Sequence, residues 1–310
     1  MENTGIVTKV TGRWFWVETP EHRSVRCAAK GRFRLDGGRN TNPVVVGDQV
    51  TFIHDNQTDS GMITGISARR NYIIRRSANL SHATQILAAN IDQAILIATL
   101  IKPKTYPEFI DRFLVSAEAY RIPVCIVFNK TDLYDSLLLN RLENLIKIYT
   151  DVGYRVLRTS VPDKKNIDHF KTLLAGKTSL IAGNSGVGKS TLINTVEPGL
   201  NLKTNSLSTY HQSGRHTTTY SEMFRLNFGG YVIDTPGIKG FGLVGFDKEE
   251  LYHFFPEIFR FSASCNYYNC THTHEPGCAV KEAAGTGKIS QSRYNSYLNL
   301  FFEEDKKYRE

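Results

Sequence analysis

Gly183-Asn184-Ser185-Gly186-Val187-Gly188-Lys189-Ser190-Thr191 is the stretch that decides the fold class. Residues 183–190 fit G-x4-G-K-[ST]. They follow an apolar run at 179–182 and open a segment, 189–194, with helical character. A chance Gly-rich turn would lack that strand–loop–helix context, which the phosphate-binding motif requires. The glycines let successive backbone N–H groups turn onto phosphate oxygens beside the positive end of a helix. Lys189 then supplies a point charge to the β- and γ-phosphates, and Ser190 offers a hydroxyl to Mg2+.

Working outward, Asp234-Thr235-Pro236-Gly237 closes a second apolar run, 231–233. An aspartate at a strand end can hold the Mg2+ shell, and the Gly237 N–H can meet the γ-phosphate. Asn129-Lys130-Thr131-Asp132 follows a third apolar run, 123–128. The Asp132 carboxylate can accept from both N1–H and N2–H2 of guanine, a donor pair that adenine lacks. Asn129 would reach the N7 edge, and Lys130 would lie along the base and ribose. Thr159-Ser160-Val161, after 154–157, is a candidate for backbone N–H contact to guanine O6. Taken singly, Asn-Lys-x-Asp also reads as a helix N-cap, and Thr-Ser or Asp-Thr-Pro-Gly as an ordinary turn. Together the four specify a guanine-nucleotide site. Their order is unusual: the base motifs at 129 and 159 precede the phosphate loop, the polar segment 202–220 and Asp234. That is a circular permutation, which compact domains tolerate because their termini often lie close together.

The surrounding chain alternates strand and helix from about residue 90. Apolar runs at 93–99 and 123–128 alternate with helical spacing at 107–120, 133–149 and 167–174. This predicts a parallel sheet covered on both faces. Residues 1–75 instead show short strands at 4–9, 14–18, 25–29, 44–51 and 62–67, punctuated by glycines, as in a small barrel. Arg69, Arg70, Arg75 and Arg76 form a basic exit segment. Trp14 and Trp16 share one face of their strand and Phe15 takes the other. Arg32, Arg34, Arg69 and Arg70 are candidates to meet phosphates. Residues 247–310 read as mostly helical, around Cys265-x4-Cys270-x-His272-x5-Cys278. Three thiolates and one imidazole make a closed tetrahedral zinc set of the structural kind, with His274 as a rival fourth ligand. Cys27 and Cys125 lie in strands and read as core residues.

Composition bounds what remains. The chain has 310 residues, is 41% hydrophobic and carries a net charge of +8. These values exclude wholesale disorder, and 310 residues accommodate two or three domains. No apolar run approaches the roughly 20 residues of a membrane span, and residues 1–20 lack an apolar signal core, so a cytoplasmic location is expected. Residues 1–78 carry 12 basic and 7 acidic side chains, 79–243 carry 18 and 13, and 244–310 carry 8 and 10. The basic surplus that would favour a polyanion therefore lies in the first two segments.

On these motifs, their permuted order and Gly214-Arg215-His216-Thr217-Thr218-Thr219, nearly the whole chain resembles the circularly permuted ribosome-assembly GTPases of the RsgA/YjeQ family. The resemblance implies an OB-fold at 1–75, a permuted α/β P-loop GTPase domain at 80–243 and a mostly helical zinc domain at 244–310. It implies GTP hydrolysis to GDP and phosphate, stimulated by the small ribosomal subunit and its rRNA, in late maturation of that subunit by a monomer without a membrane. It favours His272 as the fourth zinc ligand, His216 as the group that positions water, and, among Thr217, Thr218 and Thr219, Thr218 by motif alignment as a Mg2+ ligand beside Ser190. Many GTPases place a water-orienting Gln just after Asp-x-x-Gly, and here that position is Ile238. Two rivals are an RNA-binding scaffold that holds nucleotide without turnover, and an ATP-driven P-loop enzyme, which Asn129 and Asp132 oppose.

Overall fold

The computed structural model describes residues 2–30, 43–55, 57–76, 84–202, 221–234 and 247–303. The strands are β1 (Glu2–Thr11), β2 (Trp14–Glu18), β3 (Ser24–Ala29), β4 (Gln49–Asp55), β5 (Ser60–Ile66), β6 (Tyr72–Arg76), β7 (Thr84–Ala89), β8 (Gln93–Ala98), β9 (Val124–Phe128), β10 (Arg155–Arg158), β11 (Thr178–Ala182), β12 (Glu222–Arg225) and β13 (Tyr231–Asp234). The α-helices are α1 (Pro107–Ala119), α2 (Ser136–Val152), α3 (Ile167–Leu174), α4 (Lys189–Val196), α5 (Pro256–Ser262), α6 (Ala279–Gly285) and α7 (Gln291–Phe302).

The first five strands close a barrel in the order β1-β2-β3-β5-β4, with β4 returning to β1 and β3 parallel to β5. Closure removes the open edges that a five-strand sheet would otherwise present. Phe15 and Val17 point into the barrel while Trp14 and Trp16 face outward, as strand alternation requires. The expected strand at 44–51 begins only at Gln49. Residues 44–46 are buried but turn at Gly47, because the Asp48 carboxylate accepts from Val45 N at 2.8 Å.

The central sheet runs β10-β9-β8-β11-β13-β12, parallel except for the antiparallel β12. Ala94, Leu96 and Ala98 of β8 join Phe113 of α1 and Leu142 of α2 on one face. Ile95 and Ile97 join Phe170 of α3 and Leu192 of α4 on the other. Burial on both faces explains why this strand reads as an unbroken apolar run. The barrel interior continues into the first of these cores.

Two sequence expectations change here. Residues 72–76 are not a loose basic segment; they pair antiparallel with 84–89. Arg69 is not available to phosphates. Its Nε and Nη2 donate to both oxygens of the fully buried Asp48 at 2.7 and 2.8 Å, and Nη2 also donates to Pro43 O. The Asp48 charge, removed from water, requires such a bidentate partner.

The C-terminal helices form their own core around Leu251, Phe255, Ile258 and Tyr297, which Val115 of α1 joins. At this junction Arg293 is fully buried. It donates to Asp111 of α1 at 2.9 Å and to both oxygens of Glu257 at 2.7 and 3.1 Å. Ser296 and Tyr149 donate to the same Asp111.

Candidate nucleotide site and metal centre

Parallel strands deliver their ends to one edge of the sheet, and ligands of open α/β sheets bind there. β11 ends in the glycine loop, β9 in Asn129, β10 in Thr159 and β13 in Asp234. Gly183 has φ 139° and lies against the Ile97 carbonyl, where a Cβ has no room. Gly188, at φ 96°, is equally close to the Asn129 amide. Only glycine meets both demands.

Lys189 is buried at the start of α4, and its Nζ donates to Gly183 O at 2.9 Å and Asn184 O at 2.7 Å. Burial pushes its ammonium down to about 8, and the Asp234 charge opposes that shift. Burial likewise pushes the Asp234 carboxyl up to about 6; Lys189 holds it down and Glu222 adds to the rise. Ser190 Oγ is buried without a hydrogen-bond partner among the described residues. An orphaned hydroxyl beside Lys189, and a strand-end carboxylate that interacts with the same lysine, are hard oxygens of the kind that fit Mg2+. Ser190 would ligate the ion, with Asp234 in its outer shell. An ion held by these residues would supply positive charge beside the phosphates.

The base motifs are knitted to the phosphate loop. Asn129 Nδ2 donates to Val187 O at 2.9 Å, and its Oδ1 accepts from Thr159 Oγ1 at 2.9 Å. Lys130, at φ 60°, sends its Nζ to Gly186 O at 2.6 Å and Lys102 O at 2.7 Å. Ser160 Oγ donates to Asp132 Oδ1 at 2.8 Å, which leaves the exposed carboxylate free to accept further donors. Thr159 and Ser160, the weakest of the sequence signals, are both fully buried. Tyr134 was not singled out by sequence. Its hydroxyl donates to Asn129 O and accepts from Leu100 N. No pattern in the sequence marks it, because one partner, Leu100, lies 34 residues away on another loop. His216, Thr218, Gly237 and Ile238 lie outside the described residues. A cavity of about 360 Å3, lined by Gln93, Glu118, Arg155 and Lys177 among others, contains none of the motif residues and is not the nucleotide site.

In the C-terminal module the ligand atoms of Cys265, Cys270, His272 and Cys278 all lie within 4.8 Å of one another. His272 Nδ1 is 3.6 Å from the sulfurs of both Cys265 and Cys278, which are 3.9 Å apart. A zinc–sulfur bond of roughly 2.3 Å gives a tetrahedron with S···S edges of about 3.8 Å, whereas a disulfide would need about 2.05 Å. Burial pushes the Cys270 thiol up to about 12, with Cys278 and Cys265 adding to the rise, and it lowers His272 toward the neutral form that ligates metal. The set therefore fits Zn2+, which would supply the positive charge to balance three thiolates, two of them buried. His274 is exposed and its ring bonds Thr273 instead. Tyr294 and Tyr297 of α7 donate to His272 O at 2.7 Å and Thr271 O at 2.6 Å, and so hold the ligand loop. Sequence spacing alone gives these tyrosines only a packing role.

A glycine-loop sheet with its base motifs ahead of the phosphate loop in the chain, joined to a five-strand barrel and a Cys3His cluster, is a circularly permuted P-loop GTPase. The RsgA GTPase family model matches residues 66–244 and the RsgA N-terminal domain model residues 4–63, and the chain belongs to this family. It is 54% identical over 306 residues to the small ribosomal subunit biogenesis GTPase RsgA 2 of Bacteroides thetaiotaomicron, covering 98% of each chain. It is 47% identical to the small ribosomal subunit biogenesis GTPase RsgA of Flavobacterium psychrophilum, covering 99% of this chain and 94% of that one. Among solved structures, YjeQ from Thermotoga maritima superposes with a TM-score of 0.79 at 36% identity, covering 97% and 98% of the two chains. YloQ, a circularly permuted GTPase, gives 0.75 at 28%, covering 97% and 94%. The chain is thus a hydrolase acting on GTP. Among the described residues no helix is long and apolar enough to cross a membrane.

Asp132→Asn is expected to weaken GTP binding about 10²-fold, because the amide turns a donor toward guanine donors. A xanthine nucleotide, with a carbonyl at position 2, should bind the variant better than GTP does. Competition between the two nucleotides checks this. An unchanged preference for GTP would remove Asp132 from the base site.

Proposed function

We propose that the chain binds the small ribosomal subunit during its late maturation and hydrolyses GTP there, with turnover stimulated by the subunit. The observation that carries this reading is the permuted nucleotide edge on one continuous sheet with a barrel that presents aromatic and basic side chains. Trp14 faces outward with the guanidinium carbons of Arg26 and Arg13 at 4.6 and 5.4 Å from its ring. Aromatic faces flanked by arginine suit stacking on unpaired bases and contact with phosphates, so rRNA is the ligand assigned to the barrel. The working units are the barrel at 1–75, the nucleotide domain at 80–243 and the zinc module at 244–310. The chain acts as a cytoplasmic monomer.

Within the nucleotide domain, Asn129 and Asp132 read the base and Lys130 lines base and ribose; Thr159 and Ser160, whose N–H groups donate to Phe128 O and Lys165 O, support the base motif through their hydroxyls, which donate to Asn129 and Asp132. Residues 183–191 hold the phosphates, and Gly237 meets the γ-phosphate. Ser190 and Thr218 ligate Mg2+. Since Ile238 offers water no hydrogen bond, His216 takes the water-positioning role. A positioned general base contributes about 10²–10⁴-fold. Cys265, Cys270, His272 and Cys278 hold one structural Zn2+.

The test is multiple-turnover phosphate release titrated with purified small subunits. A saturable rise in turnover is expected, and a flat titration overturns the reading. His216→Ala should keep its GTP affinity within about twofold yet lose about 10²-fold in stimulated turnover. Full stimulation of the variant would assign the water to another group.

A further inference from the structure

The barrel and the nucleotide domain share a strand-to-strand seam that ends at the phosphate site. β1 pairs antiparallel with β12, placing Lys9 opposite Glu222, and β12 pairs with β13, placing Glu222 opposite Asp234. Residues directly opposite in a sheet share a face. Lys9, Glu222 and Asp234 therefore stand abreast across three strands, and Asp234 interacts in turn with Lys189. The row alternates as cation, two carboxylates, cation. Lys9 Nζ lies 2.9 Å from Glu222 Oε1.

The other end of the same hairpin is gripped too. Tyr231 OH donates to Glu18 Oε1 of β2 at 2.9 Å, and Arg225 Nε lies 4.0 Å from the same oxygen. Arg225 and Tyr231 are register partners at the far end from Glu222 and Asp234. The barrel hairpin β1–β2 thus clamps β12–β13 at both ends. A further contact of the barrel reaches the β6–β7 pair and its neighbours, through Val46, Gly47 and Asn90, and the barrel interior is continuous with the core under the central sheet.

We propose that Lys9 and Glu18 are positioning residues through which the barrel sets the placement of Asp234, so that a partner held by the barrel reaches the hydrolysis site through β12. The inference rests on the reading that the small subunit stimulates turnover. It assigns the route, which that reading leaves open. Lys9 is a charge partner for Glu222, and its withdrawal leaves two neighbouring carboxylates facing each other. Glu18 fixes the opposite end and prevents the hairpin from pivoting.

The experiment uses the full chain and measures basal turnover, turnover at saturating small subunits and subunit affinity. Exposed polar pairs act weakly, so each contact is expected to change stimulation by about three- to fivefold. The combined Lys9→Met, Glu18→Gln variant should lose about tenfold in stimulated turnover, with basal turnover and subunit affinity within about twofold of the parent. Lys9→Glu alone should be impaired, and Lys9→Glu with Glu222→Lys should recover, because the pair is restored with its charges exchanged. Parent-like stimulation in the combined variant overturns the route. So does an equal fall of basal and stimulated turnover, which marks a structural role only, and so does failure of the charge exchange to rescue. Absence of stimulation in the parent overturns the subunit reading, and the route falls with it.

Discussion

Chelation of zinc, or Cys278→Ser, will unfold the C-terminal module as a unit while leaving the nucleotide domain folded. The reason is the size of the module's own core. Its helices are 7, 7 and 12 residues long, too short to stand without packing. Its ligand loop, 265–278, contributes few buried apolar groups beyond the cysteines themselves. A small structure of this kind takes much of its stability from metal, and apparent zinc affinities in such sites reach about 10–16 kcal/mol. Without the ion, three thiols crowd against His272 with none of the charge that would hold them together. The tyrosine bonds from α7 to the ligand loop then have nothing fixed to grip. Amide hydrogen exchange on the full chain is the measurement. Protection across 256–262, 279–285 and 291–302 should collapse on metal removal, with zinc content falling from one per chain to none. Protection across β8, β9 and β11 should persist. Unchanged exchange in the module after chelation would show that its apolar core suffices and that the cluster does not carry its stability.

The docking surface sharpens this expectation. Arg293, Asp111 and Glu257 are buried together, and separating them would leave charges unpaired at a cost of about 3–5 kcal/mol. Loss of the module is therefore resisted at the α1 junction, and unfolding should begin in the ligand loop and reach α7 last.

Much of this architecture is legible in the sequence wherever the signal is local. The glycine loop, Asn129–Asp132 and Asp234 announce themselves because each sits at the end of an apolar run, and a parallel sheet brings such ends to one edge. The cysteine spacing is equally local, although only the folded loop separates His272 from His274. What the sequence conceals is pairing over distance. Nothing near Lys9 indicates Glu222, 213 residues away, and nothing near Asp111 indicates Arg293, 182 residues away. Arg69 shows the same limit: as a charge in a basic segment it resembles a phosphate contact, and only the buried Asp48 reveals an internal role. Residues 72–76 read as basic rather than as a strand, and it is their pairing with 84–89 that makes them one.

Replacing Lys189 by Ala is expected to lower GTP turnover about 10³-fold, and the stability of the variant will separate this from a folding defect. Removing a single charged donor from a preorganised anion site costs about 10²–10³ in rate, and Lys189 has two such duties. In the proposed site it meets the phosphates, and it is the cation that opposes the buried Asp234 carboxyl. Arginine is no substitute. Its planar fork cannot occupy the space in which Lys189 Nζ reaches the carbonyls of Gly183 and Asn184, so Lys189→Arg should be nearly as impaired. The nucleotide-free protein should tolerate the loss. Burial already disfavours the charged ammonium, so its removal relieves a desolvation cost. That relief offsets the lost bonds to Gly183 O and Asn184 O and the lost cation beside Asp234, so thermal melts without nucleotide should stay close to those of the parent. With nucleotide the two chains should part. The parent gains about 2.7 kcal/mol at a ligand concentration of 100 times Kd, and the variant at the same concentration gains little. A variant that melts early without nucleotide, yet is still stabilised by GTP, would place Lys189 in the scaffold of the loop and leave the phosphates to the backbone N–H groups alone.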